Sequence, residues 1–184
     1  MNTADQRRRG RLGIGVIGAG KVGAVLGAAL RAAEHAVVGV SAVSEASRER
    51  AENLLPGVPV LEIPDIIERS ELVLLAVPDD ALLGLVEVLV AGGSVRDGQH
   101  VVHTSGRHGL AVLAAAAEGG ARPVALHPAM TVTGTARDLA RLRGAVVGVT
   151  AGPGERRLAD QLVAALGATA TYVAEDDRTL YHAG

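Results

Sequence analysis

Residues 13–23 read GIGVIGAGKVG, a short apolar run that ends in the pattern Gly-x-Gly-x-x-Gly at Gly18, Gly20 and Gly23. In a dinucleotide site each glycine of this pattern has a mechanical role. The first permits a tight turn out of a strand, the second leaves space for a pyrophosphate near the backbone, and the third lets the next helix pack against the strand. The pattern alone occurs by chance, but here a strand-like run precedes it and an alanine-rich helical run follows. The stretch therefore predicts a dinucleotide-binding strand, turn and helix.

The helix after the turn gives a second reason to expect a phosphate ligand. Its N-terminus offers unpaired N–H groups and the positive end of the helix dipole. We therefore expect Ala19, Lys21 and Val22 to contact the cofactor together with the three glycines.

Strand-like and helix-like runs alternate along the rest of the chain. Because parallel neighbours need crossover connections, this alternation predicts an α/β fold with a doubly wound, mostly parallel sheet and helices on both faces. The predicted strands are residues 12–17, 36–41, 58–61, 72–76, 100–103, 123–126, 145–150 and 169–173. The predicted helices are residues 21–33, 44–54, 63–70, 79–90, 109–118 and 153–166, the last with Pro153 in its first turn and Gly167 at its C-terminal end.

Composition limits the classes of protein to consider. A chain of 184 residues can bury a core, and its apolar residues are mainly Ala, Val and Leu, which suit helices packed closely on a parallel sheet. Cysteine is absent, which excludes disulfides, cysteine nucleophiles and thiolate metal sites. The net charge of −2 gives no attraction to nucleic acid or anionic membranes. We expect a cytoplasmic protein with no nucleic-acid or membrane partner.

The two ends of the chain differ from its middle. Four arginines within residues 1–11 predict a disordered basic tail, and residues 12–175 carry no linker, so they are expected to form one nucleotide-binding domain. Near the other end, Asp176 or Asp177 can cap a helix that begins at Arg178. A helix this short is marginal without tertiary support. Either it docks as a stub or residues 176–184 are the start of a truncated helical domain, and we expect the second.

The end of the second predicted strand bears on the choice of cofactor. NAD sites usually have an acidic residue about 20 positions after the glycines, to bind the ribose 2′-OH. Here residues 38–44 read VGVSAVS, without an acid, and the hydroxyls of Ser41 and Ser44 with Arg48 can hold a 2′-phosphate. Alternatively, Ser44 only caps the next helix and Arg48 is solvated, while Glu45 reaches a ribose. The sequence favours NADP, with NAD as second choice.

Polar residues follow the strand at residues 72–76. Val77, Pro78 and Asp79 lie where that strand passes into a helix, at the carboxyl edge where doubly wound sheets bind ligands. Proline and aspartate are also ordinary capping residues at a helix start. We take these three residues as candidate cofactor contacts and not as catalysts.

Two further strand ends carry the candidate catalytic residues. Ser105 follows the strand at 100–103, and His127 directly follows the strand at 123–126. A hydroxyl and an imidazole at one sheet edge can together polarise a carbonyl or move its proton during hydride transfer. His103 is interpreted as a hydrogen-bonded residue inside its strand, whereas Arg107 or His108 either binds a substrate carboxylate or is solvated. The histidines show no metal-ligand spacing, so no metal site is predicted.

The motifs at residues 18–23, 76–79, 103–106, 127–128 and 181–183 resemble, in this order, a bacterial family of Rossmann-like oxidoreductases whose C-terminal half is a domain of unknown function. That family is similar to the 6-phosphogluconate dehydrogenase superfamily, which includes pyrroline-5-carboxylate reductase, ketopantoate reductase and prephenate dehydrogenase. The resemblance extends from about residue 12 to the last residue. Ser105 and the stretch His127-Pro128-Ala129-Met130 are similar to the serine and the His-Pro-Met-like motif of prephenate dehydrogenases.

The resemblance implies an NAD(P)-dependent reductase or dehydrogenase with an all-helical C-terminal domain that dimerises, and hence a homodimer in the full-length form. Two departures from the family are visible. Residues 131–133 read TVT where relatives tend to have an aromatic residue, and the chain stops where the helical domain should begin. In the superfamily that domain supplies a catalytic or substrate-binding side chain.

Two functions are compatible with these residues. The first is an NADP-dependent oxidoreductase that transfers a hydride between nicotinamide and a small carboxylate-bearing carbonyl or imine substrate. The second is a non-catalytic NAD(P)-binding sensor or assembly domain, because one fold serves many functions. The pairing of Ser105 with His127 favours the enzyme.

Overall fold

A computed structural model describes residues 11–183 as one seven-stranded sheet with helices on both faces. The expected basic tail lies outside the described residues except for Arg11, whose guanidinium pairs with the Glu34 carboxylate.

The strands run in the spatial order β2-β1-β3-β4-β5-β6-β7. The first five are parallel, β6 is antiparallel to β5, and β7 is parallel to β6. The predicted doubly wound, mostly parallel α/β fold is thereby confirmed. The strand bounds are β1 Gly13–Ile17, β2 Ala36–Ser41, β3 Leu72–Leu75, β4 His100–His103, β5 Arg122–Pro128, β6 Val146–Ala151 and β7 Thr169–Tyr172.

Eight α-helices and two short 3-10 turns are described within residues 11–183. The helices are α1 Lys21–Ala32, α2 Glu45–Leu54, α3 Ile63–Arg69, α4 Asp79–Ala91, α5 Ala114–Glu118, α6 Arg137–Leu142, α7 Arg156–Ala165 and α8 Arg178–Ala183. The 3-10 turns are Ala111–Leu113 and Glu175–Asp177.

Each face of the sheet has its own apolar core. On the first face Leu72 and Leu74 of β3 pack in a cluster with residues of α1, α2, α6 and α7. On the second face Val73 and Leu75 pack in a cluster with residues of α3, α4 and α5. Side chains alternate between the faces of a strand, so a sheet covered on both sides needs continuous apolar strands. All four residues of β3 are buried.

The predicted strand at residues 58–61 is wrong. This stretch makes a single bridge, between Val60 and Val40 of the edge strand β2. The Val40 N–H donates to the Pro59 carbonyl, and the Leu61 N–H donates to the Val40 carbonyl. Proline has no N–H to continue a ladder, so pairing stops after one bridge.

Three helix predictions differ from the structure in detail. The helix predicted at 153–166 begins only at Arg156, so Pro153 lies in a turn before it, although Gly167 adopts a φ of +71° just after its end, as a C-terminal cap requires. The helix predicted at 109–118 is reduced to a 3-10 turn and α5. Helix α6 was not predicted. It depends on the buried carboxylate of Asp138, which accepts hydrogen bonds from the N–H groups of residues 133–135.

Candidate nucleotide-binding and catalytic site

The glycine loop, residues 18–23, joins β1 to α1. Gly18 has a φ of +100°, and a Cβ atom there would lie 2.5 Å from the Ala76 carbonyl oxygen. A Cβ atom at Gly23 would lie 2.0 Å from the Gly18 carbonyl oxygen. Neither position has room for a side chain, because the obstacle at each is backbone. The backbone at Gly18 and at Gly23 therefore requires glycine, as a tight turn and close helix packing do.

Gly20 is different from both. The nearest atom to a Cβ placed there is the Ala76 carbonyl oxygen at 3.9 Å, so the outer side of the loop is open. Its φ of −67° and ψ of −175° suit any residue, and the loop does not need glycine here for its own conformation. Helix α1 has no acidic residue in its first turn, and no side chain caps it. The open N-terminus of this helix therefore fits a pyrophosphate.

The other three predicted cofactor contacts of the loop differ in exposure. Lys21 is exposed, and Val22 packs partly against the core. Ala19 is buried, and its N–H donates to the carbonyl of Ser41 at 2.8 Å. This bond ties the loop to the end of β2.

The residues predicted to select the cofactor lie at the end of β2 and the start of α2. The Ser41 hydroxyl is buried and accepts a hydrogen bond from the Gly18 N–H at 2.9 Å. Ser44 is the N-cap of α2, and its hydroxyl accepts from the Ser47 N–H at 3.2 Å, as the capping alternative requires. Arg48 is exposed. Of the three, Arg48 has the side chain most available to a ligand.

Sequence reasoning missed Arg50. Its guanidinium donates to the Ala19 carbonyl at 3.0 Å and lies beside Gly134 and Lys21, where a Cβ at Gly134 would be 2.7 Å from Nε. This places a half-buried cation directly beneath the glycine loop. Helix α2 is mostly polar and carries two arginines, so its sequence gives no signal that one of them faces the loop.

The end of β3 borders the same loop. Val77 lies against it, with Cγ1 3.4 Å from the position of a Cβ at Gly18. Pro78 is the N-cap of α4, and Asp79 lies in its first turn. The Asp79 carboxylate is near enough to favour protonation of His103 and His127, although its effect on each pKa is outweighed by others.

His103 is fully buried at the end of β4 and uses both ring nitrogens. Nε2 donates to the Gly109 carbonyl at 2.8 Å, and Nδ1 accepts from the Ser105 N–H at 3.2 Å. Only the neutral ring with its proton on Nε2 satisfies both bonds. Burial, assisted by the charge of Arg178, lowers the pKa of His103 to about 4. The interpretation of His103 as a hydrogen-bonded core residue is confirmed.

The structure brings the loop after β4 against His127, but it directs the Ser105 hydroxyl elsewhere. Ser105 is buried, and its Oγ accepts from the His108 N–H at 3.1 Å. Its neighbour Gly106 faces His127, since a Cβ there would lie 2.9 Å from the His127 Nε2. Within residues 11–183 no hydrogen bond joins Ser105 to His127. Arg107 on the same loop is exposed.

His127 is half-buried in the second face of the sheet. Its Nδ1 lies 3.0 Å from the Tyr181 hydroxyl, and its ring is 6.2 Å from that of His182, centroid to centroid. Burial, and then the electrostatic effects of Arg178 and His182, lower its pKa below the ordinary value. His127 is therefore neutral at pH 7.

The C-terminal segment, residues 175–183, covers this end of the sheet. The Glu175 carboxylate accepts from the N–H groups of Leu110 and Ala111 at 2.6 and 2.9 Å. Arg178 is 1% exposed and donates to the Thr150 hydroxyl at 2.7 Å. The structure describes a docked helix, α8, at this end of the chain. That it begins a truncated domain stays a prediction.

Neither a metal site nor a membrane-spanning helix is found within residues 11–183. No group of three or more His, Asp or Glu side chains there is arranged to hold a metal ion. None of the described helices has both the length and the apolar character needed to cross a membrane.

A parallel sheet with a glycine loop after its first strand defines the class of doubly wound α/β proteins that bind ligands at the carboxyl edge. The chain belongs to the Rossmann-like domain family, which matches residues 1–128. No curated protein matches it in sequence.

Solved structures with this fold include the following oxidoreductases. A candidate NADP oxidoreductase from Bacteroides fragilis is 20% identical with a TM-score of 0.74, and the match covers 95% of this chain and 64% of that one. Prephenate dehydrogenase from Aquifex aeolicus is 16% identical with a TM-score of 0.73, covering 90% and 62%. A pyrroline-5-carboxylate reductase from Coxiella burnetii is 17% identical with a TM-score of 0.69, covering 91% and 61%. At these identities the likeness shows the fold, and the chain spans less than two thirds of each structure.

Proposed function

We propose that the protein is an NADP-dependent oxidoreductase that transfers a hydride between nicotinamide and a small carboxylate-bearing carbonyl or imine substrate. The observation that carries the proposal is that an open glycine loop and the neutral imidazole of His127 lie at one edge of the same sheet. Structures with this fold include oxidoreductases named for NADP or crystallised with NAD+, which supports a nicotinamide cofactor.

The residues that would hold the cofactor are those of the glycine loop and of the ends of β2 and β3. The N–H groups at the start of α1 would receive the pyrophosphate, Arg48 would bind the 2′-phosphate, and Val77 would border the ribose or nicotinamide. Val43, which is 90% exposed beside Ser41, offers an apolar contact to an adenine ring. When bound, the cofactor supplies the hydride.

The substrate would lie at the carboxyl edge of the sheet beside His127, next to the loop after β4 and the C-terminal segment. His127 would face the reacting oxygen or nitrogen, because its Nε2 is directed at Gly106 and away from Tyr181. The carboxylate of the substrate would find positive or protonatable groups in Arg107, His108 and His182. Ser105 would act mainly by holding the loop in place, since its hydroxyl accepts the His108 N–H.

The proposal is tested by calorimetric titration with NADPH and NADH, followed by NADPH oxidation with a panel of small keto acids and imines. His127→Ala should leave NADPH affinity unchanged and lower turnover by about 10²–10⁴-fold, the value of one acid–base group. Ser105→Ala should also leave NADPH affinity unchanged and should lower turnover by a smaller factor. Absence of NADPH binding would overturn the proposal.

The sensor alternative has a distinct outcome in the same experiment. NADPH binding without turnover of any substrate would favour a nucleotide-sensing or assembly domain. The test is to be run on this chain and on a full-length protein if the gene extends further. The proposed homodimer of the full-length form is tested by light scattering on the same samples.

A further inference from the structure

We propose that Tyr181 is a positioning residue that keeps the His127 proton on Nε2, so that the imidazole presents a hydrogen-bond donor to the substrate. The inference rests on the proposed function, in which a carbonyl or imine offers a lone pair to that donor. Its starting point is the distance of 3.0 Å between the Tyr181 hydroxyl and His127 Nδ1.

The Tyr181 ring packs directly on the sheet, against strand β6. Gly148 of β6 pairs with His127 of β5, and the ring lies on Gly148 so closely that a Cβ there would be 2.5 Å from the Tyr181 hydroxyl oxygen. The two rings are nearly perpendicular, at 89°, with centroids 5.6 Å apart. The absence of a side chain at residue 148 therefore allows the hydroxyl to reach Nδ1.

The helix that carries Tyr181 is anchored one turn earlier by a buried cation. Arg178 donates from Nε to the Thr150 hydroxyl at 2.7 Å and from a terminal nitrogen to the Gly148 carbonyl at 3.2 Å. Its guanidinium carbon lies 5.6 Å from the centre of the Tyr181 ring. A six-residue helix is marginal by itself, so these bonds are what fix the position of Tyr181.

The direction of the hydrogen bond follows from the chemistry of its two partners. A neutral imidazole has one donor and one acceptor nitrogen, whereas a phenol hydroxyl is a good donor and its oxygen a weaker acceptor than an imidazole nitrogen. Within residues 11–183 the Tyr181 hydroxyl has no other hydrogen-bond partner. Tyr181 therefore donates to Nδ1, and the proton of the ring is on Nε2.

This arrangement determines what the site presents to a ligand. Nε2 is directed at Gly106, where a Cβ would lie 2.9 Å from it, and His182 Nδ1 is 2.6 Å from the same point. With its proton on Nε2, His127 donates a hydrogen bond to a carbonyl oxygen or imine nitrogen and polarises it towards hydride addition. A ring with the proton on Nδ1 would instead present a lone pair and repel the same atom.

The experiment is nitrogen-15 NMR of the histidine-labelled 184-residue chain, without ligand, with the His127 signals assigned by their loss in His127→Gln. In the unsubstituted protein Nε2 should carry the proton and Nδ1 should not. Tyr181→Phe removes a donor that stabilises the neutral ring, so it should raise the His127 pKa by about 0.5 to 1. The other groups that act on this pKa, Arg178, His182 and Asp79, are unchanged by the substitution.

Two further variants make the test sharp. Tyr172→Phe is the matched control, because that hydroxyl bonds to Asp160 on α7 at 2.9 Å and should leave the His127 signals unchanged. Gly148→Ala keeps the Tyr181 hydroxyl but displaces its ring, and should raise the His127 pKa as Tyr181→Phe does. Gly148→Ala therefore tests the same hydrogen bond if Tyr181→Phe does not fold.

A proton on Nδ1 in the unsubstituted protein would overturn the inference, as would an unchanged His127 pKa in folded Tyr181→Phe and Gly148→Ala. Both readouts are independent of NADPH. A failed NADPH titration would therefore overturn the proposed function without changing the result for Tyr181.

Discussion

The glycine loop and the His127 end of the sheet are both shaped by missing side chains, but for different reasons. At Gly18 and Gly23 the nearest obstacles are backbone atoms of the loop itself and of the adjoining β3 end. At Gly106 and Gly148 the obstacles are the side chains of His127, Tyr181 and His182. The first region is thus a short sequence motif whose backbone packs on itself and on the adjoining strand end, and the second depends on side chains of a segment that folds back across the sheet. A short glycine motif can therefore be recognised from the sequence, whereas the other half of the site exists only once residues 175–183 dock on the sheet.

The largest expected effect separates two glycines of the same loop. Gly23→Ala places a methyl group 2.0 Å from the Gly18 carbonyl oxygen, which should lower the free energy of unfolding by about 3 kcal/mol or more. The Cβ of Gly20→Val has its nearest neighbour, the Ala76 carbonyl oxygen, at 3.9 Å and the backbone suits any residue, so the fold should be kept. The substitution should nevertheless abolish binding of NADPH and NADH, because the side chain would occupy the pyrophosphate position.

Denaturant unfolding followed by circular dichroism, beside calorimetric titration, separates these two outcomes. Wild-type affinity in Gly20→Val would show that the loop is a structural turn only.

The next effect concerns pH and the buried His103. Its pKa of about 4 lies below the ordinary value of 6.5, so the folded state resists a proton that the unfolded chain accepts. The contribution to stability is complete above pH 6.5 and is lost as pH falls towards 4, by roughly 3 kcal/mol. His103→Gln can still donate to Gly109 and accept from Ser105 but does not titrate.

The variant should therefore lose less stability than the unsubstituted protein between pH 6.5 and 4, as measured by urea unfolding at several pH values. If the free energy of unfolding fell equally with pH in the two proteins, protonation of His103 would not destabilise the folded state. Carboxylates and the other histidines contribute to both curves alike.

The sequence allowed the glycine-loop half of the site to be predicted better than the other half. The loop is a motif of six residues between a strand and a helix, and the strand ends at Ser105 and His127 follow from the same alternation. The contacts of Tyr181 with His127 and of Glu175 with Leu110 join residues 54 and 65 positions apart, and no local pattern indicates them. Helix α6 and Arg50 were missed for the same reason, since their roles depend on where Asp138 and Ala19 lie in the fold.

A smaller effect compares the two arginines of α2. Arg48→Ala should weaken NADPH binding by about 1.5–3 kcal/mol, the value of a hydrogen bond to a charged group. The binding of NADH should be nearly unchanged. Arg50 donates to the Ala19 carbonyl of the glycine loop, so Arg50→Ala should weaken binding of both cofactors to a similar extent by loosening the loop. Calorimetric titration of each variant with each cofactor provides the four values. A native preference for NADH, or an equal loss of both cofactors in Arg48→Ala, would contradict the 2′-phosphate assignment.

The smallest effect tests how the second region is held together. Glu175 accepts the N–H groups of Leu110 and Ala111 as a cap of the 3-10 turn that precedes α5, and removing such a cap costs about 1 kcal/mol. Glu175→Ala should therefore speed amide hydrogen exchange at residues 110 and 111 and, because the C-terminal segment loosens, at the docked helix α8. Asp176→Ala is the matched control, since this exposed acid stands in the same turn and its side chain makes no hydrogen bond within residues 11–183. The glycine loop should exchange at its original rate in both variants, because none of its contacts involves residues 175–183. If exchange in the glycine loop rose together with that in α8, the two regions would be one cooperative unit, and the contrast between a locally built half and a docked half of the site would be wrong.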